Sequence, residues 1–214
     1  MRWRGAIEKE ALESTLRVIA GSAGGRPLLS PPGRGTRPTA DRLKQALFNI
    51  LGDGVPDADV LDLFAGSGAL GIEALSRGAR RAAFVERDPR VARVLRSNLA
   101  ACGLTAAAQV VLAEVAPALR SLARSAERFS LVLADPPYAT GAAPATLGLL
   151  AGEAAAILAE SALVAIEHAP EEEMPAAAGN LRLMRRRIQG RGCVSVYGLA
   201  AWHAGATDGA PSAR

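Results

Sequence analysis

The chain has 214 residues, of which half are hydrophobic and 4% aromatic, and its formal net charge is +4. This length fits one domain with a small appendage. The two cysteines, Cys102 and Cys193, are far apart and lack metal-ligand spacing, which argues against a disulfide framework or a zinc site. No apolar run approaches the roughly 20 residues of a membrane-spanning helix, and the N-terminus lacks a signal-peptide core. We therefore expect a cytoplasmic protein without a membrane partner, and the modest positive charge points weakly to a polyanion.

The N-terminal part of the chain divides into residues 1–15, a marginal helix or a disordered extension, and a basic unit at residues 16–56. Within that unit, two short apolar runs surround the Gly-rich turn at 21–25, which predicts a β-hairpin. Arg17 and Arg26 lie near this turn. The hairpin is either a clamp on phosphates or a solvated ribbon.

A loop and a helix complete the basic unit. Residues 31–38 are rich in Pro and Gly and carry Arg34 and Arg37, and flexible basic loops of this kind suit nucleic-acid backbones. The apolar spacing that follows predicts a helix with Thr39 as its N-cap and a stop at Gly52.

Residues 57–203 alternate apolar strands with helical segments, which predicts a parallel sheet with ligand sites at the carboxyl ends of its strands. A strand at Val60–Phe64 leads into a G-x-G-x-x-G turn that begins at Gly66. Such a turn lets a ligand approach the backbone at a helix N-terminus. The next strand ends at Glu86, where an acidic residue accepts hydrogen bonds from ribose hydroxyls. A nicotinamide dinucleotide is the first candidate ligand for this pattern.

Asp62, in the strand before the Gly-rich turn, favours a different cofactor. Its carboxylate would repel a pyrophosphate, but it would suit a ligand that ends in a cationic amino acid. S-adenosylmethionine has such an end, with an ammonium group beside a sulfonium, and it has no phosphate. We therefore expect S-adenosylmethionine rather than a dinucleotide, and no metal.

The motif Asp135-Pro136-Pro137-Tyr138 closes another apolar run, which predicts a buried strand that stops abruptly. The Asp135 carboxylate, the Pro136 carbonyl and the Tyr138 ring should then meet at one strand end. Two acceptors and one π face are what an exocyclic amino group on a flat ring requires. The alternative is a proline-rich turn with a solvated acid and a packing tyrosine.

Acidic residues lie at or near the carboxyl ends of four of the predicted strands. They are Asp62, Glu86, Glu114 and Asp135. Because the carboxyl ends of parallel strands share one edge of a sheet, we expect these four side chains to line one crevice. Glu114 has two possible roles: it accepts a hydrogen bond from an adenine amino group, or it is a solvated loop acid.

The remaining part of the chain predicts an apolar helix at Leu147–Leu158 and a fifth strand at Ala162–Glu167. Two closing strands, at Arg182–Ile188 and Val194–Ala201, surround a Gly-rich turn and should pair antiparallel. The tail at residues 204–214 is small and polar, which is typical of a flexible terminus.

Two features of this part need interpretation. His168 follows the fifth strand, and we interpret it as a turn histidine rather than as a catalytic one. The run Arg185–Arg187 is either a solvated sheet edge or a phosphate contact.

Together these motifs resemble one family, the bacterial 16S ribosomal RNA guanine-N2 methyltransferases that modify guanine 966. The resemblance extends from Leu16 to Ala201 and depends on motifs in a fixed order. They are Arg17…Gly21…Gly25-Arg26, Arg37-Pro38-Thr39-x-Asp41-Arg42, Leu47-Phe48-Asn49, Leu61-Asp62-Leu63-Phe64-Ala65-Gly66-Ser67-Gly68, Asp135-Pro136-Pro137-Tyr138 and Tyr197. Asp-Pro-Pro-Tyr marks amino-methylating enzymes in general, whereas the Arg-Pro-Thr-x-Asp-Arg block is more specific. Glu114 and Gln45 depart from the family pattern, in which Asp and Glu are usual.

The resemblance implies an α/β fold, that of a Rossmann-like class I S-adenosylmethionine-dependent methyltransferase. Its sheet would be mostly parallel and seven-stranded with an antiparallel last strand, and the N-terminal hairpin and helix would form a small extension. The implied activity is methyl transfer to N2 of a specific guanine in 16S rRNA. The substrate would be a small ribosomal subunit or an assembly intermediate, and the enzyme a monomer.

The resemblance also implies residue roles. Asp135 and Pro136 would accept the two N–H bonds of the guanine amino group, and Tyr138 would stack on the base. The expected cofactor-binding residues are Asp62, Phe64, Ala65, Gly66, Ser67, Gly68, Glu86, Arg87, Glu114 and Asp135. The expected RNA-binding residues are Arg17, Arg26, Arg34, Arg37, Thr39 and Arg42.

Other functions fit parts of the same pattern. Methyltransferases that act on adenine N6 of DNA or glutamine N5 of proteins need the same acceptor geometry. An RNA-binding protein that keeps a vestigial pocket is a rival from a different class. An oxidoreductase would instead bind a nicotinamide and ignore S-adenosylmethionine.

Overall fold

The computed structural model describes residues 16–31 and 38–200, except for the side chains of residues 38–40. The predictions for residues 1–15, for Arg34 and Arg37, and for the tail at 204–214 lie outside the described residues, as does the side chain of Thr39. Within the described ranges, no helix combines the length and the hydrophobicity that crossing a membrane requires.

Helices and strands alternate along most of the described chain. The helices are α1 (Pro38–Leu51), α2 (Ala69–Ser76), α3 (Pro89–Cys102), α4 (Val115–Ala123) and α5 (Ala142–Ala151). The strands are β1 (Asp59–Leu63), β2 (Arg81–Glu86), β3 (Ala108–Leu112), β4 (Phe129–Ala134), β5 (Leu158–His168), β6 (Ala177–Ala178), β7 (Leu181–Gln189) and β8 (Gly192–Leu199).

All eight strands of the described residues join one sheet in the order β3-β2-β1-β4-β5-β8-β7-β6. Strands β1 to β5 pair in parallel, whereas β8 is antiparallel to both β5 and β7. The predicted α/β class, the mostly parallel sheet and the antiparallel end of the chain are confirmed. The sheet has one strand more than the predicted seven, because the two-residue strand β6 pairs with β7. Two residues are too few to show the alternation that identifies a strand in a sequence.

Two hydrophobic clusters cover the two faces of the sheet. On β1, Val60 belongs to one cluster, whereas Leu61 and Leu63 belong to the other, as the alternation of side chains along a strand requires. Helices α1, α2 and α3 contribute to the first cluster, and α4 and α5 contribute to the second. The central strands are therefore buried on both sides, which explains their almost continuous apolar sequence.

The N-terminal segment 16–31 packs on the first cluster. Val18 and Leu28 are fully buried there, so the segment is not a solvated ribbon. The predicted hairpin is present in a short form, in which Arg17 and Pro27 make one antiparallel bridge. The N–H groups of Val18 and Leu28 donate to the carbonyl oxygens of Arg26 (3.0 Å) and Leu16 (2.8 Å). Pro27 has no N–H to donate to a ladder, and the N–H groups that follow Val18 turn towards α2 instead.

Glu73 of α2 anchors this segment. Its carboxylate is fully buried and accepts hydrogen bonds from the N–H groups of Ile19 (2.7 Å) and Ala20 (3.0 Å). Two cations lie beside it, with Nζ of Lys44 at 3.2 Å and Nε of Arg77 at 2.7 Å. Burial lowers the pKa of Lys44, although the charge of Glu73 opposes this shift. The ion pairs and hydrogen bonds together make the buried charge tolerable.

Both α1 and α3 begin with a proline, which leaves no N–H unpaired at the first helical position. Helix α1 begins at Pro38, so Thr39 lies inside the first turn and is not the predicted N-cap. Helix α3 begins at Pro89, and Asp88 caps it by accepting a hydrogen bond from the N–H of Arg90 at 2.8 Å.

The helix predicted at Leu147–Leu158 lies earlier in the chain, at Ala142–Ala151. The backbone leaves the helical conformation at Gly152, where φ is −117° and ψ is −104°. Leu158 is already the first residue of β5. The long apolar run does not distinguish a helix from a strand, so the prediction misplaced both ends.

His168 is not in a turn, which corrects our prediction. It is the last residue of β5 and is fully buried. Its Nδ1 lies 2.8 Å from the carbonyl oxygen of Ala169, and its Nε2 lies 2.9 Å from Oγ of Ser195. Burial lowers the pKa of its imidazole. These contacts give His168 a role in packing the end of β5 against β8.

Candidate active site

Near the carboxyl ends of β2, β4 and β5, an acidic residue directly follows a residue that pairs with the neighbouring strand. Leu63 of β1 pairs with Val85 and Ala134, and Ala134 pairs with Ile166. The residues that follow these partners are Glu86 on β2, Asp135 after β4 and Glu167 on β5. Because the strands are parallel, the three carboxylates share one edge of the sheet.

Asp62 lies on β1 just behind this edge, with 2% of its surface exposed. Its Oδ2 accepts a hydrogen bond from the N–H of Gly71 at 2.8 Å, so the carboxylate points into the Gly-rich turn. Burial, and then the negative charges of Asp135 and Glu86, raise the pKa of Asp62 well above its ordinary value. The structure therefore brings these three predicted residues within electrostatic reach of one another.

The loop between β1 and α2 allows close approach to its backbone. Phe64, Gly66 and Gly68 have positive φ angles of 60°, 56° and 84°, which is unusual for a phenylalanine but not for a glycine. Glu86 holds the loop in place. Its Oε2 accepts a hydrogen bond from the N–H of Gly66 at 3.0 Å, and its Oε1 accepts one from the N–H of Asp88 at 2.8 Å.

The other two predicted loop residues tie the loop to its surroundings. Ala65 is buried and its N–H donates to the carbonyl oxygen of Val85 at 2.9 Å. The carbonyl oxygen of Ser67 accepts a hydrogen bond from Nδ2 of Asn98 at 2.8 Å. The loop is thus attached to β2 on one side and to α3 on the other.

Asn98 of α3 also holds the N-terminal segment, and sequence reasoning missed it. Its Oδ1 accepts a hydrogen bond from the N–H of Leu29 at 2.8 Å, and its Nδ2 donates to the Leu29 carbonyl oxygen at 3.0 Å. Asn98 is 1% exposed. The available signal was an amide on the apolar side of the predicted helix, one position before Leu99.

The motif Asp135-Pro136-Pro137-Tyr138 begins where β4 ends. Asp135 is half-buried, Pro136 is buried, and Tyr138 is 37% exposed. The hydroxyl of Tyr138 donates a hydrogen bond to Oε1 of Glu167. The three predicted catalytic residues therefore lie at one strand end, and Tyr138 faces the end of the next strand.

Glu167 is a site residue that sequence reasoning did not single out. Burial, and then the charge of Asp135, raise the pKa of Glu167 to about 8, although the hydrogen bond from Tyr138 opposes this shift. The signal was present in the sequence, because Glu167 closes the fifth predicted strand as Asp135 follows the fourth. The rule that identified the other strand-end acids applies equally to this one.

Glu114 and Arg87 form an exposed pair beyond the ends of β3 and β2. Nη1 of Arg87 lies 4.0 Å from Oε1 of Glu114, and the side chains are 74% and 70% exposed. The four predicted strand-end acids thus differ in their surroundings, since Asp62, Glu86 and Asp135 interact with one another and Glu114 faces solvent. Exposed pairs of this kind are weak and free to rearrange.

Three of the predicted RNA-binding side chains are described, and all three are exposed. Nε of Arg17 lies 3.5 Å from Oδ2 of Asp41 on α1. Arg42 follows Asp41 on the same helix. Nη1 of Arg26 donates to the carbonyl oxygen of Ala101 at 2.8 Å, near the end of α3 that is remote from the crevice. Arg17 therefore lies beside α1, the helix that carries Arg42, whereas Arg26 contacts the end of α3.

The run Arg185–Arg187 on β7 is exposed. Arg186 has a structural contact, since its Nη2 donates to the carbonyl oxygen of Pro170 at 2.8 Å. The geometry fits both interpretations of the other two arginines, the solvated edge and the phosphate contact.

The family model described as Conserved hypothetical protein 95 matches residues 16–198 of the chain. Among curated relatives, YlbH of Bacillus subtilis, provisionally named an rRNA methyltransferase, is 39% identical over 182 residues, which make up 85% of this chain and 98% of YlbH. The Escherichia coli K12 protein named ribosomal RNA small subunit methyltransferase D is 38% identical over 182 residues, which make up 85% of this chain and 89% of that protein.

Solved structures agree with these relatives. The Escherichia coli protein yhhF, provisionally named a methyltransferase, has a TM-score of 0.72 at 38% identity, covering 86% of this chain and 97% of that one. A hypothetical protein from Thermus thermophilus has a TM-score of 0.70 at 34% identity, covering 85% of this chain and 98% of that one. The resemblance found in the motifs is confirmed, and the chain belongs to the Conserved hypothetical protein 95 family, the family of ribosomal RNA small subunit methyltransferase D.

Proposed function

We propose that the protein transfers a methyl group from S-adenosylmethionine to the exocyclic N2 of a guanine in the 16S rRNA of the small ribosomal subunit. The observation that carries this proposal is the end of β4, where Asp135, the Pro136 carbonyl and Tyr138 adjoin a crevice of carboxylates beside the Gly-rich loop. Membership in a family with a relative named ribosomal RNA small subunit methyltransferase D supports the choice of substrate.

The charge of the crevice suits S-adenosylmethionine. Asp62 and Glu86 take part in none of the ion pairs formed by the described residues, and neighbouring carboxylates contribute to the raised pKa of Asp62. A cationic ligand would relieve this repulsion, whereas a pyrophosphate would increase it. When bound, S-adenosylmethionine supplies a methyl group on a sulfonium. No group of His, Cys, Asp and Glu in residues 16–31 and 38–200 could hold a metal ion.

The chain would hold this cofactor from several elements. Asp62 would accept from the ammonium end, and the backbone of the loop at residues 64–68 would line its path. Glu86 would accept hydrogen bonds from the ribose hydroxyls. Arg87 and Glu114, which face solvent, would close around the adenine at the outer edge.

Asp135 and Pro136 would orient the amino group of the substrate. The lone pair of an exocyclic amine is delocalised into the ring, so the nitrogen must become more tetrahedral before it can accept a methyl group. When the Asp135 carboxylate and the Pro136 carbonyl accept its two N–H bonds, the lone pair turns out of the ring plane. Tyr138 would stack on the base, which must be unpaired or flipped to enter.

The basic unit at residues 16–56 would bind the RNA backbone, beside a methyltransferase unit at residues 57–203. Arg17 and Arg42 carry this role best among the described residues, since both are exposed near the start of α1. The proposal includes a cytoplasmic location, a monomeric enzyme, and a small subunit or an assembly intermediate as the substrate.

The test is transfer of a labelled methyl group to small ribosomal subunits, naked 16S RNA, duplex DNA and protein, followed by identification of the modified unit. Label in N2-methylguanosine supports the proposal, and the better substrate shows which form of the RNA is used. Label only in adenine or glutamine would keep the cofactor and overturn the substrate. Binding of S-adenosylmethionine without turnover would favour an RNA-binding protein, and binding of a nicotinamide alone would favour an oxidoreductase.

A further inference from the structure

We propose that Glu167 reads the target base: its carboxylate accepts the N1–H of the guanine whose N2 is methylated, and so excludes bases without a proton at this position. This inference rests on the proposed function, because it assumes a base whose amino group lies on Asp135. The Asp135 carboxylate and the Pro136 carbonyl alone would accept any exocyclic amino group. Glu167 would add the contact that distinguishes guanine from other bases.

The two carboxylates leave the sheet side by side. Ala134 pairs with Ile166, so Asp135 and Glu167 follow neighbouring positions on parallel strands, whose backbones lie about 4.8 Å apart. On guanine, N1 and the amino nitrogen N2 are both bonded to C2, so the N1–H bond and one N2–H bond lie side by side and point the same way. The other neighbour of the amino group is N3, whose lone pair a carboxylate repels. Charge therefore favours the orientation in which N1–H faces Glu167.

The side chain of Glu167 is held in place for this contact. The Tyr138 hydroxyl donates to its Oε1, and among the hydrogen bonds of the described residues none reaches its Oε2. Gly192, at the start of β8, lies against this pair. A Cβ at Gly192 would come within 3.0 Å of the Tyr138 hydroxyl oxygen and within 2.5 Å of Cδ2 of Leu43. A larger residue at Gly192 would therefore have to displace the ends of the Leu43 and Tyr138 side chains.

The electrostatics of the pair connect base recognition to cofactor binding. Burial and the charge of Asp135 raise the pKa of Glu167 to about 8. A cationic cofactor in the crevice would offset the charge of Asp135 and favour the ionised form of Glu167. The ionised carboxylate accepts N1–H from guanine, but it repels the N1 lone pair of adenine or of 2-aminopurine.

The test uses two RNAs that differ only at the methylated nucleotide, which is guanosine in one and 2-aminopurine in the other. Both bases carry an amino group at position 2, and only guanosine has N1–H. Ligation of a synthetic fragment into 16S RNA provides both substrates. The wild-type enzyme should prefer guanosine by about 10- to 100-fold in kcat/KM. Glu167→Gln, whose amide can donate to a bare N1, should lose most of this preference.

The control is Glu160→Gln, an exposed position on the same strand, which should keep the wild-type preference. Glu167→Gln should also keep the cofactor affinity of the wild type, and its melting temperature at pH 7 should not fall, because the fold raises the pKa of the wild-type carboxyl. A merely structural glutamate would lose stability on this change. An unchanged preference in Glu167→Gln overturns the inference and leaves guanine methylation standing. Equal wild-type rates on the two RNAs overturn it without any variant. A wild type that methylates no guanosine overturns the proposed function, and the role of Glu167 with it.

Discussion

Glu73 and Asp62 are both buried acids, but their surroundings are opposite. Glu73 has two backbone N–H groups and two cations within 3.2 Å. Asp62 has the N–H of Gly71, and its charged neighbours are carboxylates. A buried charge with a full set of partners holds a fold together, whereas a buried charge among like charges destabilises the fold and suits a ligand. Both acids are buried, so burial does not distinguish their roles. Their partners do: those of Glu73 indicate a structural role, and those of Asp62 make it a candidate for ligand binding.

The largest effect should come from removing the structural acid. Glu73→Ala leaves two backbone N–H groups without an acceptor and the buried Lys44 ammonium without its counter-charge, with only the Arg17 carbonyl oxygen as a hydrogen-bond partner among the described residues. The free energy of unfolding should therefore fall by about 3–5 kcal/mol. Urea denaturation measures this. Glu153→Ala is the control, because Glu153 pairs with Arg120 at 3.8 Å on the surface and should change stability by less than about 1 kcal/mol. Equal stability of the two variants would contradict the structural role of Glu73.

Removing the acid that we propose to touch the substrate should stop the chemistry. Asp135→Ala should lower the methyl-transfer rate by about 10²-fold or more at saturating cofactor, because a preorganised acceptor is lost. Calorimetric titration measures the cofactor affinity separately, and Asp53→Ala, at an exposed acid, is the control. A wild-type rate in Asp135→Ala would remove it from the mechanism.

Asp62→Asn sharpens the comparison because its effects on stability and binding have opposite signs. The folded protein raises the pKa of Asp62, so wild-type stability declines as the pH rises above the ordinary aspartate range. The amide has no charge to bury and can still accept from Gly71. The variant should therefore be more stable at pH 7 by about 0.5–2 kcal/mol, and it should bind S-adenosylmethionine about tenfold more weakly or worse.

Denaturation across pH 4–7 and calorimetric titration check these two effects. The stability difference between Asp62→Asn and the wild type should widen as the pH rises and should vanish at acidic pH. A variant that is less stable at pH 7, or that keeps its cofactor affinity, would place Asp62 with Glu73 among the structural acids.

The smallest effects should come from replacing the basic residues of the N-terminal segment 16–31, which Glu73 anchors. Arg17→Ala and Arg26→Ala should each weaken RNA binding several-fold and reduce the salt dependence by about one ion, as expected for a phosphate contact. Cofactor affinity should not change. Filter binding at several salt concentrations measures the RNA affinity and its salt dependence. Because Arg26 lies near the far end of α3, a loss with Arg17→Ala alone would restrict the RNA path to the start of α1.

The sequence predicted the parts of the site that depend on local rules. Asp62, Glu86 and Asp135 follow from where strands end, and the positive-φ loop follows from its glycines. Glu167 obeys the same rule and could have been found. All four acids could be located because the spacing of apolar residues predicts where each strand ends and the next helix begins.

The contacts that the sequence could not predict join distant parts of the chain. Glu73 accepts from residues more than fifty positions away, and Asn98 joins residues 69 and 31 positions away. Such pairs depend on how the N-terminal segment packs, and periodicity carries no information about that. Likewise, the sequence could not predict the bounds of α5, because the composition of its apolar run suits a helix and a strand equally.

The reversed direction of β8 determines which part of the backbone lies beside Tyr138. Because β8 runs against β5, strand β7 brings the chain to the carboxyl edge, where the turn at residues 190–191 reverses it into β8. A parallel strand would have needed a crossover of about a dozen residues, usually a helix, along this flank. The flank beside Tyr138 has a narrow hairpin tip instead, and Tyr138 and Ile188 are 37% and 54% exposed. If the substrate is the RNA that we propose, this single strand reversal would give a folded polymer lateral access to Tyr138.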